Sequence, residues 1–289
     1  MAMVCEVQKG ARSLGYSVYG MMCLPRGDCS HIRSSSETTT TVMNQSMPVQ
    51  SRLRPDWHRI PADEWAVYRK VLRRATERGI RFAFGGAFAT AEYTGELRNT
   101  KDFDIYVRPV DRAGMIQVMG EAGLTDHFDR LAYDRSWIYR ASQGDIIVDT
   151  IWAMANHRAE VDEGWLTLGP AVSILGEPLR AIPIEELIWS KLYVLQHERC
   201  DWTDIFNLLD ARLEVIDWDR LLCRLAEDAP LLIGALTVFN WLAPDRAAAL
   251  PSSVRDRLGL KELTPGTREL SRARANLLDS RPWFIRHTR

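Results

Sequence analysis

The stretch Arg81–Val107, RFAFGGAFATAEYTGELRNTKDFDIYV, leaves few ways to fold. Phe82, Ala83 and Phe84 form an apolar strand that runs into Gly85-Gly86. A helix-compatible segment follows from Ala87 to Tyr93, then a polar loop from Thr94 to Lys101. Asp102-Phe103-Asp104-Ile105-Tyr106-Val107 reads as the closing strand. Side chains at i and i+2 of a strand share a face. Asp102 and Asp104 therefore stand together, and Phe103 and Ile105 point the other way, into a core. Two adjacent carboxylates repel and need a counter-charge. Mg²⁺ meets that need with one or two carboxylates plus phosphate oxygens and water.

Further along, RSWIYRASQGDIIVDTIWAM reads as a hairpin. Its strands are Trp137–Ala141 and Ile146–Trp152, joined by a turn around Gln143-Gly144. Asp149 interrupts the apolar run of the second strand, where a lone carboxylate is costly unless it is paired or metal-bound. Asp145, beside Gly144, belongs to the turn.

The ordered set Gly85-Gly86, Arg98-x-Thr100 and Asp102-x-Asp104 resembles the core of the nucleotidyltransferase superfamily with the polymerase-beta-type fold. The pattern is most similar to that of small bacterial nucleotidyltransferases, including AbiEii-type toxins, and it covers roughly residues 60 to 215. The resemblance implies an α+β fold: a small mixed β-sheet flanked by helices, with a C-terminal helical subdomain. It implies that Asp102, Asp104 and Asp149 hold Mg²⁺, two ions in all, and carry the catalysis. Gly85, Gly86, Arg98, Thr100 and Lys191 would contact the nucleoside triphosphate. Asp201 and Asp204 match an acidic pair that follows the lysine in the related enzymes; helix capping explains them equally well. Arg199 is a candidate for a basic position between them. The implied reaction moves a nucleoside monophosphate to an acceptor hydroxyl of tRNA, protein or an aminoglycoside-like small molecule. An antitoxin is a further expected partner. The alternative is a non-catalytic nucleotide-binding protein that keeps the fold.

Residues 1–55 stand apart, with the run Ser34-Ser35-Ser36-Glu37-Thr38-Thr39-Thr40-Thr41, which cannot bury a core. They read as a disordered tail, and a translation start at Met43 or Met47 would remove most of it. The expected division beyond is a core over 56–182 and a helical part over 183–289.

Within that division, the spacing of Trp65, Tyr68, Leu72 and Ala75 predicts a helix opened at Pro61 and closed before Gly79. Met115, Val118, Met119 and Ala122 predict a second helix, with Asp111 as its N-cap. Val172–Ile182 reads as another tight hairpin, and Pro183 opens a helix bearing Glu185, Glu186 and Lys191. Helices are expected at Trp218–Asp228, Leu231–Leu242, Ser252–Leu258 and Thr267–Leu278, with Trp283 and Phe284 anchoring the end.

Charge is nearly balanced, with 37 basic and 38 acidic residues, so no global basic field favours nucleic acid. Both ends are basic: residues 1–60 carry 7 basic and 4 acidic groups, and residues 252–289 carry 9 and 4. That leaves 21 against 30 in the middle, an excess that would suit a cationic acceptor. Five cysteines without a C-x-x-C pair indicate neither a disulfide framework nor a zinc ribbon. No apolar run reaches membrane-spanning length and no signal-peptide core is visible, so a cytoplasmic location is expected.

Overall fold

The computed structural model describes residues 54–98, 100, 102–261 and 266–278, all within one compact unit spanning 38–289. The tail, the alternative starts and the Trp283–Phe284 anchor lie outside the described residues. The expected α+β architecture holds, built on a five-stranded mixed sheet.

Helix α1 (Ala62–Glu77) buries Trp65, Tyr68, Leu72 and Ala75, the predicted stripe, together with Val67 and Val71. Strand β1 is only Ala83–Phe84, shorter than the apolar run. Its edge is extended differently: the Gly85 N–H donates to the Asp104 carbonyl, and the Ile182 N–H donates to the Phe84 carbonyl. Helix α2 (Gly86–Thr94) follows at once and ends at Gly95, which adopts φ 83°. Strand β2 (Asp102–Tyr106) returns antiparallel to β1. Its Phe103 and Ile105 are fully buried. Phe103 packs 5.0 Å from Tyr68 and 4.6 Å from Phe88, ring centre to ring centre. Burying side chains of this size stabilises by about 1.5–3 kcal/mol each, and this fixes which face of β2 is left for the two aspartates.

Helix α3 (Arg112–Glu121) buries Met115, Val118 and Met119 as expected. Asp111 stands at its N-cap position without capping it. The preceding 3-10 turn, Pro109–Asp111, holds Asp111 in helical backbone, and its carboxylate accepts from Arg108 Nε at 3.0 Å. Strands β3 (Thr125–Asp126), β4 (Ile138–Gln143) and β5 (Ile146–Ile151) complete the sheet in the order β1-β2-β5-β4-β3. β5 lies parallel to β2 and antiparallel to β4. The turn between β4 and β5 is Gly144-Asp145, one residue later than the spacing suggested, with Gly144 at φ 63°. That shift sets the register Arg140↔Asp149.

A short helix, α4 (Glu163–Thr167), was not legible in the sequence; Asp162 caps it. Strands β6 (Ala171–Ile174) and β7 (Glu177–Arg180) form the second hairpin. Helix α5 (Ile184–Leu192) begins after Pro183. Glu186 in its first turn is fully buried and is held by Arg220 and by Arg224, whose Nε donates at 2.9 Å. Helix α6 (Trp202–Arg212) packs on both α2 and α5.

The C-terminal helices are α7 (Trp218–Leu225), α8 (Ala229–Leu242), α9 (Pro244–Ala247), α10 (Ser252–Leu258) and α11 (Arg268–Leu278). Among the described residues, no helix is long and apolar enough to cross a membrane.

Candidate metal centre and anion cleft

The parallel register of β2 and β5 pairs Asp104 with Asp149. Asp102, two residues before Asp104, projects on the same side. One carboxylate oxygen from each of the three lies within 4.8 Å of the others. Three hard oxygen donors at this spacing fit Mg²⁺ and do not fit a soft-metal site.

The three aspartates differ in surroundings. Thr100 Oγ1 donates to Asp102 Oδ1 at 2.7 Å, which fixes that carboxylate. Asp104 is pushed up to about 8 by burial and by the neighbouring charges of Asp102 and Asp149; Lys191 and Arg140 pull the other way. Asp149 is 1% exposed and is also raised by burial, a push opposed by its bonds to Arg140. Arg140 Nε donates to Asp149 Oδ1 at 2.8 Å, and Nη2 to Oδ2 at 2.5 Å, a bidentate pair. The same Nη2 lies 3.7 Å from Asp102 Oδ2.

Gly85 and Gly86 meet β2 rather than open space. A Cβ on Gly85 would stand 2.2 Å from the Tyr106 ring. A Cβ on Gly86 would stand 1.6 Å from Asp104 Oδ2, and Gly86 has φ 54°. These glycines let the side chains of β2 lie against the start of α2. Gly86 lines the cleft described next, whereas Gly85 does not.

The cleft, about 460 Å³, has the aspartates in its lining together with Arg98, Thr100, Arg140, Lys191 and Arg199. Its charged lining is balanced: Asp102, Asp104, Asp149 and Asp201 against Arg98, Arg140, Lys191 and Arg199. The acidic excess of the middle segment is not concentrated here.

Lys191 is buried and engaged. Its Nζ donates to Asp201 Oδ2 at 3.1 Å and to Asp204 Oδ2 at 2.7 Å. Arg98 reaches Asp204 at 3.1 and 3.2 Å, and Arg199 grips Asp201 with Nε at 2.9 Å and Nη2 at 3.0 Å. The five residues form one chain, Arg98–Asp204–Lys191–Asp201–Arg199. Asp201 is held below the ordinary carboxylate range, because Arg199 and Lys191 outweigh the opposing effect of burial. The buried members anchor two exposed guanidinium groups at the cleft, Arg98 at 55% and Arg199 at 63% side-chain exposure. Asp201 and Asp204 therefore serve as counter-ions. At the start of α6, Asp201 makes no side-chain cap.

Sequence reasoning missed Arg140. Its signal was the hairpin turn: strands flanking Gly144-Asp145 pair Gln143 with Ile146 and hence Arg140 with Asp149.

No family model matches the chain, and no curated protein matches it. Solved structures do. The chain is similar to the antibiotic-resistance factor ANT(2'')-Ia at 21% identity, over 68% of this chain and 94% of that one, with a TM-score of 0.37. It is similar to JHP933 from Helicobacter pylori at 15% identity, over 75% and 95%, with a TM-score of 0.35. An antigenic nucleotidyltransferase-like protein from Paracoccidioides brasiliensis gives 15% identity over 60% and 92%, with a TM-score of 0.30. At these scores the similarities identify neither an activity nor an acceptor for this chain.

Proposed function

We propose that this protein is a divalent-metal-dependent nucleotidyltransferase. It moves a nucleoside monophosphate from a nucleoside triphosphate to an acceptor hydroxyl and releases pyrophosphate. The observation that supports it best is the convergence of Asp102, Asp104 and Asp149 within 4.8 Å, in a cleft also lined by two anchored arginines.

Asp102 and Asp104 would hold Mg²⁺, which when bound neutralises phosphate charge and orients the α-phosphorus for in-line attack. Thr100 keeps the Asp102 carboxylate turned to that position. The N-terminal turn of α2 at Gly86 offers backbone N–H donors to phosphate oxygens. Arg98 and Arg199 add charge-assisted donors for the β- and γ-phosphates. Lys191 acts on phosphate indirectly, by fixing the carboxylates that hold those arginines. Asp149 takes the proton of the acceptor hydroxyl as its oxygen attacks the α-phosphorus; the bond to the bridging oxygen breaks, and that oxygen leaves on pyrophosphate. Each Asp149 oxygen keeps a lone pair beyond the one given to Arg140.

The acceptor is tRNA, protein or an aminoglycoside-like small molecule. The balanced cleft gives a polycation no special advantage. None of the three structural neighbours above is described as a toxin, so an antitoxin partner rests on the motif resemblance alone. One observation favours the second reading, a nucleotide binder without catalysis: Arg140 occupies both oxygens of Asp149.

The test is incubation of the full chain with Mg²⁺, each labelled triphosphate in turn, and RNA, protein or aminoglycoside acceptors. Label transfer that disappears in Asp104→Asn supports the enzyme. Triphosphate binding without transfer to any acceptor supports the second reading, and no binding at all removes both.

A further inference from the structure

Arg140 enters the site from β4, a strand that carries none of the three aspartates. Its position is set by backbone register, since it is the direct partner of Asp149 across the β4–β5 pair. Its guanidinium makes a two-point contact with Asp149 and reaches to 3.7 Å from Asp102. It is 24% exposed against 1% for Asp149, and both side chains line the cleft.

Resting on the metal-site reading above, we propose that Arg140 takes the place of a second metal ion, so that the centre accepts one divalent cation, on Asp102 and Asp104. Three carboxylates, one guanidinium and one divalent cation are electrically neutral before the nucleotide enters. A second cation would have to share the Asp149 oxygens with Arg140. It would also stand beside a fixed positive charge in a poorly solvated site, where like charges repel strongly. The guanidinium cannot step aside by losing its proton, because arginine stays charged in proteins. Arg140 is thus a positioning residue: it holds the Asp149 carboxylate in one orientation and puts a fixed charge where a second cation would have to stand.

The test counts cations. Mn²⁺ is titrated against the full-length protein by electron paramagnetic resonance, alone and with inorganic pyrophosphate, against a protein-free control. The wild type is expected to bind one Mn²⁺ per chain in both conditions. Arg140→Lys, which keeps a charge, is expected to bind one as well. Arg140→Gln, if folded, is expected to bind two when pyrophosphate is present. Removing one partner of a buried pair leaves an uncompensated charge and threatens folding, so the wild-type and Arg140→Lys counts decide alone if that variant is insoluble. Two ions in the wild type overturn the proposal and leave the metal-dependent reading intact. No bound ion in the wild type overturns the metal-dependent reading itself, and this proposal with it. A single ion in folded Arg140→Gln overturns the role of Arg140.

Discussion

The Oδ2 atom of Asp104 lies 1.6 Å from the point where a Cβ on Gly86 would stand. The backbone of one element and the carboxylate of the next share the same small volume, and only glycine permits it. The positive φ of Gly86 adds a second reason.

Gly86→Ala is therefore expected to lower stability by about 1–3 kcal/mol, the scale of one strained backbone position. It should also displace Asp104 and abolish the rise in melting temperature expected of the wild type with Mg²⁺ and triphosphate. Thermal melts with and without those ligands check both effects. A variant that melts and responds like wild type would mean that the Asp104 carboxylate sits elsewhere in solution.

The protonation of Asp104 predicts a pH dependence. Its carboxyl is raised from 3.8 to about 8 in the folded state. A raised group contributes stability that is complete below the unfolded value and is lost as pH climbs through the folded one. Without metal, the protein should lose part of its stability between about pH 4 and pH 8. Asp104→Asn should remove that component and flatten the profile. Mg²⁺ binds the ionised form, so the wild-type shift on adding Mg²⁺ should grow from pH 6 to pH 9. Superimposable profiles for variant and wild type would count against the assignment.

Asp149→Asn separates chemistry from capture. Label transfer should fall at least about 10²-fold, the scale seen when one group stabilising transition-state charge is removed. Triphosphate affinity should change little, because Asp102, Asp104, Arg98 and Arg199 remain. Kinetics and equilibrium binding at equal Mg²⁺, on protein shown to be folded, give the answer. Transfer at the wild-type rate would remove Asp149 as the base; Asp145, in the β4–β5 turn, does not line the cleft.

Lys191 and Arg199 should fail in different ways. Lys191→Met leaves Asp201 and Asp204 buried without their shared cation, at a cost of about 3–5 kcal/mol. Arg199→Ala removes an exposed head and should leave the melting temperature nearly unchanged. Its effect should be on triphosphate binding, weakened about 10-fold or more for one lost charge-assisted bond. Denaturant melts and binding titrations distinguish the two. A stable Lys191→Met with weakened triphosphate binding would instead give Lys191 the direct phosphate contact that the motif resemblance implies.

Local patterns carried most of what the sequence revealed. Asp102 and Asp104 were legible because alternation along a strand is a two-residue rule, and Asp149 because it breaks an apolar run. The core helix stripes were legible for the same kind of reason. What depended on pairing was not. Ending β4 at Ala141 and starting β5 at Ile146 places Ile138 opposite Asp149; moving the turn by one residue places Arg140 there. The engagement of Lys191 depended on the packing of α5 and α6, which no spacing within either helix records. Helix α4 was too short to show a period at all.

The parallel pairing of β2 with β5 has a consequence for how such a chain tolerates change. Between them run α3, β3, a long loop and β4, none of which bears an aspartate of the centre. Residues added or lost in the exposed loop after β3 leave Asp104 facing Asp149, since the ladder alone aligns them. One residue added within β5 before Asp149 would turn that carboxylate into the apolar core and bring Val148 to face the metal position. The loop between β3 and β4 is free in length, and the strand itself is bound by parity.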